Sequence, residues 1–424
     1  MSKHPQTDQG SLAIFVQGQS CGTLGRSAVR PHTYVFGYHP TTPATHAVSL
    51  TMPVMADQYG YQQGIHPIFQ MNLPEGELRE LLRNRFQKTV QHFDDLALLG
   101  IVGHSQIGRI RLAAVGQTPD AMPLQDMQQL RTYSGTEDLF TELLQRYASY
   151  SGISGVQPKV LVRDSHTVAS VAQPEQFSYR DATHIIKAWN PERFPQLAAN
   201  EYFCMQAARH AGLETPEVEL VAQGQLLVVK RFDLDNKGGY HGFEDFCVLN
   251  GLATDDKYVG SYQDIAQRIR QFVSPHLIHE ALEQFFLSLT LSCAVQNGDA
   301  HLKNFGVLYD DPEGEVRFAP AFDIVSTTPY IPNDTLALLF GGSKAFPNRK
   351  ALLTFARQFC TINERRANRL LEWVVHGLET TLPALQAYQH ANPEFAEIGE
   401  RMVTVWQNGI AMLTEREQDS SGVA

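Results

Sequence analysis

Cysteine is scarce in this chain, and no two cysteines form a motif. The sequence has no C-x-x-C spacing, and its five cysteines are scattered among apolar neighbours: Cys21, Cys204, Cys247, Cys293 and Cys360. This pattern is typical of small buried hydrophobic side chains in a reducing compartment. We therefore expect no disulfide framework.

Long apolar runs and excess positive charge are also missing. No run approaches the length needed to cross a bilayer, and the opening MSKHPQTDQG lacks the apolar core of a signal peptide. We therefore expect a cytoplasmic protein with no membrane partner. The formal net charge of -11 argues against strong direct binding to nucleic acid, because such affinity comes from lysine and arginine. A few local cations would still suffice for one triphosphate.

The composition is that of an ordinary globular protein, with 43% hydrophobic and 19% charged residues. The periodicity of the hydrophobic residues changes along the chain. Short β-like runs with glycine and proline are followed by a helix from Glu75, a polar candidate linker at 116–136 and a helix at 137–150. A second β-rich section spans about 153–232, interrupted by one helix near 197–211. Periodic helices then predominate: 261–273, 277–296, 363–380 and 396–414, with one hairpin in FGVLYDDPEGEVRFAPAFD. This order predicts an α+β protein.

A polar cluster lies between an apolar helix and an apolar strand in AVQNGDAHLKNFGVLY (294–309). Its members are Asn297, Gly298, Asp299, His301, Lys303 and Asn304. Polar groups packed between hydrophobic elements need partners: each other, water or a ligand. An Asp that accepts the proton of an attacking hydroxyl, with an Asn five residues later to hold a metal, suits phosphoryl transfer. An Asx-rich turn that caps the helix is the alternative, and so many polar groups in eight residues weigh against it.

Asp323 follows an apolar strand in AFDIVSTTP (321–329). The hairpin before it returns the chain toward Asn304, so the two side chains could share a magnesium ion. An aspartate at a strand end is a common turn residue, but its position after the polar cluster favours the metal role.

Lys187 ends the β-branched run of THIIKAWN (183–190). A strand lysine that faces inward needs an anion, which could be a nucleotide phosphate; a solvent-facing lysine on an edge strand is an equally good interpretation. Glu201 in the next helix could pair with it.

SGISGVQPKV (151–160) is a small-residue loop in which glycines let N–H groups approach phosphate oxygens, with Lys159 as a cation. It is not a Walker A sequence, and alone it resembles an ordinary loop.

Taken in order, these segments resemble the HipA-type toxin kinases, which are serine/threonine protein kinases. The strings that carry the resemblance are GISGVQPK, THIIKAW, ANEYFCMQAARHAGL, VVKRFD, GDAHLKNFGV and FDIVS. GTLGR, VSLTMPV and DDLALLGIVG are similar to the N-terminal subdomain of that family. The resemblance runs from about residue 11 to the final helices and implies a two-lobed protein-kinase-like fold with an added N-terminal α/β subdomain. It places that subdomain at 1–120, a β-rich lobe at 121–240 and a helical lobe at 241–424.

The resemblance also implies ATP and Mg²⁺ as cofactors. Asp299 would be the catalytic base, and Asn304 and Asp323 would hold magnesium. Val229 to Phe232 would form the hinge that binds adenine, with Asp233 near the ribose. The residues expected to bind ATP are Ser154, Gly155, Val156, Gln157, Lys159, Lys187, Lys230, Arg231, Phe232, Asp233, His301, Lys303, Asn304 and Asp323.

Family members phosphorylate a serine of an aminoacyl-tRNA synthetase, which halts growth, and a helix-turn-helix antitoxin commonly restrains them. They also phosphorylate a serine in their own Gly-rich loop. The position of that serine is Gly152 in this chain, and the nearest aligned hydroxyl is Ser154. The resemblance therefore implies autophosphorylation at Ser154, with Ser151 as the second candidate, and an autoinhibition that is altered or absent.

Two other functions fit some of these features. A degenerate kinase fold could dock an antitoxin or a DNA-bound repressor without turnover, but such a scaffold need not keep Asp299, Asn304, Asp323 and Lys187 together. A small-molecule kinase could also pair an Asp with a downstream Asn, and the N-terminal resemblance counts against it. Phosphate transfer to a protein, to a small molecule or to neither distinguishes the three.

Overall fold

The chain forms two compact units, each assembled from separate segments. The computed structural model describes residues 10–27, 29–30, 33–62, 64–90, 92–135, 138–165, 181–235 and 238–415. The first unit comprises Met1–Asn190, Pro216–Lys257 and Gly306–Ala319, and the second comprises Pro191–Thr215, Tyr258–Phe305 and Pro320–Ala424. The predicted N-terminal subdomain therefore lies in the same unit as most of the predicted β-rich lobe. The predicted domain boundaries stay predictions.

Three sheets belong to the first unit. The first, of order β4-β3-β2-β1-β5, is antiparallel throughout: β1 Ser11–Val16, β2 Gln19–Arg26, β3 Tyr34–Tyr38, β4 Tyr59–Tyr61 and β5 Ile110–Ala114. The second, of order β6-β7-β8-β10-β9, has one parallel pair, β6 with β7: β6 Leu124–Gln125, β7 Lys159–Asp164, β8 His184–Lys187, β9 Val218–Val221 and β10 Leu226–Lys230. The third is the antiparallel sheet of β11 Gly242–Asp245, β12 Gly306–Tyr309 and β13 Val316–Phe318.

Short helices accompany these sheets. They are α1 Pro67–Gln70, α2 Gly76–Phe86, α3 Asp95–Val102, α4 Met127–Arg131, α5 Leu139–Tyr147 and α7 Phe246–Leu249. Asp138 is the N-cap of helix α5, because its carboxylate accepts the N–H groups of Phe140 and Thr141. Its apolar residues at spacings of three and four pack into the same core as Val160 and Ile186 of the second sheet.

The second unit is helical in its described residues. Its helices are α6 Leu197–His210, α8 Tyr262–Phe272, α9 Ile278–Ala294, α10 Arg349–Phe359, α11 Glu364–Ala391 and α12 Ala396–Thr414. Helix α9 is buried along nearly its whole length, as expected for a helix that is apolar on all sides. Helix α11 packs against α6, α9 and α12. Among the helices described, none combines the length and hydropathy needed to span a bilayer.

Most predicted elements are confirmed, with differences of three kinds. The run THAVSLTMPV (45–54), expected to be β-like, forms no strand and only an isolated bridge between Ser49 and Met52. The polar stretch 116–136 was expected to be a linker, but its described part contains α4 and the strand β6, which pairs with β7. Helix α10 and strand β11 were not expected. Short amphipathic or edge segments of this kind depend on tertiary partners, which local patterns do not reveal.

Candidate functional site

The residues expected to bind ATP fall into two sets, one in each unit. The Gly-rich loop, Lys187 and the segment Lys230 to Asp233 lie in the first unit, and Asp299, His301, Lys303, Asn304 and Asp323 lie in the second. Because Lys187 and Glu201 lie in different units, their pairing stays a prediction.

In the first unit, two buried lysines face each other across neighbouring strands. Lys159 at the start of β7 is the direct partner of Lys187 at the end of β8, so both side chains lie on one face of the sheet. Each residue is only 5% exposed. Like charges directly opposite one another destabilise a sheet, and buried ammonium groups need anions. This face of the sheet is therefore suited to hold negative charge, such as a polyphosphate.

The two serines of the loop before β7, Ser151 and Ser154, differ in their accessibility to solvent. Ser151 is fully buried, and its hydroxyl donates to the Tyr147 carbonyl at 2.8 Å and accepts the Leu161 N–H at 2.9 Å. Ser154 is partly exposed. These contacts favour Ser154 over Ser151 as an acceptor of phosphate.

Gly152, which the resemblance aligns with a serine of the family, has no room for a side chain. A Cβ there would lie 2.7 Å from both the Ser105 carbonyl oxygen and the Gln106 Cβ. The Gly152 N–H also donates to that carbonyl at 2.9 Å. The close approach of the 105–106 backbone explains physically why this position is glycine here.

The segment expected to form the hinge contains a buried ion pair. Arg231 and Asp233 are 3% and 1% exposed, their side chains meet at 2.6 Å, and the Gly108 N–H donates to Asp233 Oδ2 at 2.7 Å. Burial alone would raise the pKa of Asp233, but the Arg231 charge and these hydrogen bonds outweigh it and lower the pKa. The carboxylate is thus bonded within the protein, and its role at a ribose stays a prediction. Lys230 is more exposed and pairs with Glu217.

In the second unit, the polar cluster begins where α9 ends. Gln296 has a left-handed backbone (φ 51°) and the Asn297 N–H returns to the Ser292 carbonyl at 2.8 Å, which stops the helix. The buried Asn297 side chain then accepts the Asp299 N–H at 3.0 Å. These contacts fix the backbone that presents Asp299.

The Asp299 carboxylate already accepts a hydroxyl group. Tyr258 donates its phenolic hydrogen to Asp299 Oδ1 at 2.8 Å, and its ring meets the His301 ring edge-on with centroids 5.1 Å apart. Asp299 is partly exposed and Tyr258 is 42% exposed. An aspartate that can bind a hydroxyl at a solvent-accessible position has the geometry of a general base.

Asn304 and Asp323 are brought together as predicted. Asn304 Nδ2 lies 3.3 Å from Asp323 Oδ2, while Asn304 Oδ1 accepts the His301 N–H at 3.0 Å. Asp323 has a left-handed backbone (φ 57°), a strained conformation that is frequent at functional sites. Both side chains carry an oxygen of the kind that Mg²⁺ takes when it binds one or two protein oxygens and fills its shell with phosphate and water. In this structure the Asn304 oxygen bonds to the His301 N–H, and the amide nitrogen faces Asp323. The described residues contain no cluster of three or more His, Cys, Asp or Glu side chains suited to a metal. Lys303 lies in the turn Leu302–Asn304 and is partly buried.

The Asp323 segment is tied to the end of α9 and to α6. Ser326 Oγ donates to the Val295 carbonyl at 2.5 Å, and Thr327 Oγ1 accepts the Gly298 N–H at 2.8 Å. The fully buried Asn200 of α6 binds both backbone groups of Ser326, at 2.8 and 2.9 Å. Tyr258 and Asn200 were not expected from the sequence, because each looks like an ordinary surface or helix residue until its distant partner is known.

Comparisons with known proteins place the chain in a family. A model of the HipA-like C-terminal domain matches residues 151–382, and a model of the HipA N-terminal domain matches residues 12–113. Two proteins of Sinorhizobium fredii whose kinase assignment is itself a prediction, Y4dM and Y4mE, are each 29% identical to this chain. The alignments span 301 and 297 residues, which is 67% of this chain in both cases and 68% and 69% of the relatives.

Two comparisons concern HipA of Shewanella oneidensis. The protein named as the serine/threonine-protein kinase toxin HipA is 28% identical over 198 residues, 42% of this chain and 43% of its own length. The solved complex of HipA, HipB and operator DNA contains a chain with a TM-score of 0.66 and 19% identity, covering 94% of this chain and 96% of that one. The second likeness shows the fold and confirms the predicted α+β, kinase-like architecture. Since the C-terminal model alone matches more than half of the 424 residues, the chain belongs to the HipA family.

Proposed function

We propose that this protein is a serine/threonine protein kinase that transfers the γ-phosphoryl group of ATP with the help of magnesium. The observation that carries the proposal is the arrangement in the second unit, where the Asn304 amide group donates to Asp323 Oδ2 and the accessible Asp299 carboxylate accepts a hydroxyl. Phosphoryl transfer needs positioning and charge stabilisation rather than covalent help from the protein, and this set of groups supplies both.

Each group has a defined task in the proposed reaction. Asp299 accepts the proton of the attacking hydroxyl as its oxygen bonds to the γ-phosphorus, and ADP leaves with the electrons of the broken bond. Asn304 and Asp323 would hold Mg²⁺, which when bound neutralises charge on the phosphates. Lys159 and Lys187 of the first unit would bind phosphate oxygens as point charges.

We propose further that the acceptor is a protein and that the activity arrests growth in the cytoplasm. The support is family membership and the likeness to a relative named as a kinase toxin. An aminoacyl-tRNA synthetase is the proposed substrate. A helix-turn-helix antitoxin is the proposed partner, because HipA of S. oneidensis was solved in complex with HipB and operator DNA. All five cysteines are buried, as is typical of cysteines that act as small hydrophobic side chains.

Ser154 is the proposed site of autophosphorylation. It is the more accessible of the two loop serines. A phosphate there would add a charge of about -2 to a loop expected to bind ATP phosphates, so the modification would oppose ATP binding.

Phosphate mapping tests the proposal. The purified protein is incubated with ATP and Mg²⁺, and peptides are analysed by mass spectrometry beside an Asp299→Asn control. We expect phosphate on the 151–159 peptide in the wild type alone, and growth arrest on expression of the wild type but not of the control. ATP binding without any transfer, to itself or to a cell extract, would instead indicate a docking module. Transfer to small metabolites but to no protein would indicate a small-molecule kinase.

A further inference from the structure

Glu75 stands at the start of α2 but does not cap it. The residue is in the N-cap position of the helix Gly76–Phe86, where a carboxylate commonly accepts a backbone N–H of the first turn. Its side chain makes no such bond. The carboxylate is directed elsewhere, and its partners lie about 80 and 180 residues further along the chain.

One of these partners is the Gly-rich loop. The Gly155 N–H donates to Glu75 Oε1 at 3.0 Å, and Lys257 Nζ donates to Glu75 Oε2 at 2.8 Å. The side chains of Lys257 and Glu75 are 9% and 21% exposed, so the pair is well shielded. Lys257 balances the negative charge of Glu75, so the carboxylate can approach the loop without adding a net charge beside it.

The backbone on both sides of this contact is shaped for close approach. Gly155 has φ +119°, which a residue with a side chain rarely adopts. Gly76 has φ +51°, and a Cβ there would lie 3.1 Å from the Val156 carbonyl oxygen. Two consecutive residues, Glu75 and Gly76, therefore lie against two consecutive residues of the loop.

The contact leaves the other donors of the loop available. Among the described residues, none accepts a hydrogen bond from the backbone N–H of Ser154, Val156 or Gln157. Backbone N–H groups of a loop can bind an anion when they point to one side of the loop. Glu75 takes the Gly155 N–H alone, so it holds the loop in place and does not block a phosphate from the neighbouring donors.

We propose that Glu75 is a positioning residue that anchors the Gly-rich loop in its phosphate-binding conformation. The inference rests on the proposed function, since it assumes that the loop binds ATP. Glu75 belongs to the segment matched by the HipA N-terminal model, whereas the loop belongs to the segment matched by the C-terminal model. The anchor thus makes nucleotide binding depend on the N-terminal region.

Two measurements on the full chain test the anchor. Hydrogen exchange of the 151–159 peptide is measured without nucleotide, and the Kd of Mg²⁺–ATP is measured by calorimetry. The variants are Glu75→Ala, which removes both contacts, and Glu75→Gln, which keeps an oxygen for the Gly155 N–H but loses the ion pair. Glu77→Gln is the matched control, because Glu77 is an exposed acid of the same helix whose carboxylate accepts a hydrogen bond from the Asn190 side chain.

We expect faster exchange of the loop in Glu75→Ala, a smaller change in Glu75→Gln and none in Glu77→Gln. The Kd for ATP should rise about tenfold in Glu75→Ala, the scale of one lost hydrogen bond to a charged group. If Glu75→Ala does not fold, Lys257→Met removes the ion pair instead and should also speed exchange of the loop. Unchanged exchange, or tighter ATP binding, would overturn the anchor. Failure of the wild type to bind ATP would refute the proposed function, while the exchange data would still decide whether Glu75 holds the loop.

Discussion

Replacing Asn200 with alanine probes how the Asp323 segment is held. Asn200 is fully buried in α6, where its Oδ1 accepts the Ser326 N–H at 2.8 Å and its Nδ2 donates to the Ser326 carbonyl at 2.9 Å. Alanine would leave both backbone groups without these partners in a buried place, and each such loss costs about 1–3 kcal/mol. We therefore expect the free energy of unfolding to fall by about 3 kcal/mol.

A urea titration of Asn200→Ala beside Asn363→Ala measures this cost. Asn363 is an exposed N-cap of α11 that accepts one N–H, so its removal should cost only about 1 kcal/mol. Hydrogen exchange should also accelerate over 320–329 in Asn200→Ala, because Ser326 lies three residues after Asp323. Equal destabilisation by the two variants, or unchanged exchange in that peptide, would refute the reasoning.

Two further predictions concern Tyr258 and His66. Tyr258→Phe removes the hydroxyl group that donates to Asp299 at 2.8 Å, so a hydrogen bond to a charged group is lost. Steady-state kinetics should show a kcat about tenfold lower, with the KM for ATP unchanged. An unchanged kcat would contradict this role. Burial lowers the pKa of His66 to about 4, below the value of about 6.5 in the unfolded state. Between these two values the unfolded state binds a proton that the folded state does not, so the free energy of unfolding falls as the pH drops from 6.5 toward 4. The loss reaches about 2–3 kcal/mol at pH 4.5. Urea titrations at pH 7 and 4.5 should show a smaller difference in His66→Gln than in the wild type.

Features whose residues lie close together in the chain could be predicted from the sequence. The apolar helix, polar cluster and hairpin that carry Asp299, Asn304 and Asp323 are adjacent, so their order predicts their convergence, and the structure confirms that Asn304 and Asp323 meet. For Lys187 the sequence left an inward and a solvent-facing position equally open, and the structure shows that the residue is buried.

The rest depends on contacts between distant segments. Glu75 looks like the first acid of a helix, and Asn200 looks like an ordinary polar residue within one, until the loop at Gly155 and the backbone of Ser326 lie beside them. Local periodicity reports which face of an element is buried but not which distant group that face meets. Asp233 shows the same limit, because nothing in the neighbouring sequence indicates that the backbone N–H of Gly108 would donate to its carboxylate.

Transfer of radiolabelled γ-phosphate from ATP in the presence of Mg²⁺ tests the central claim most directly. The assay compares the wild type with Asp299→Asn and with Arg131→Gln, a surface change in an exposed ion pair with Glu219. We predict equal transfer by the wild type and Arg131→Gln, and a rate lower by about a hundredfold or more in Asp299→Asn, the scale of a lost general base. Transfer by Asp299→Asn at the wild-type rate would contradict the account.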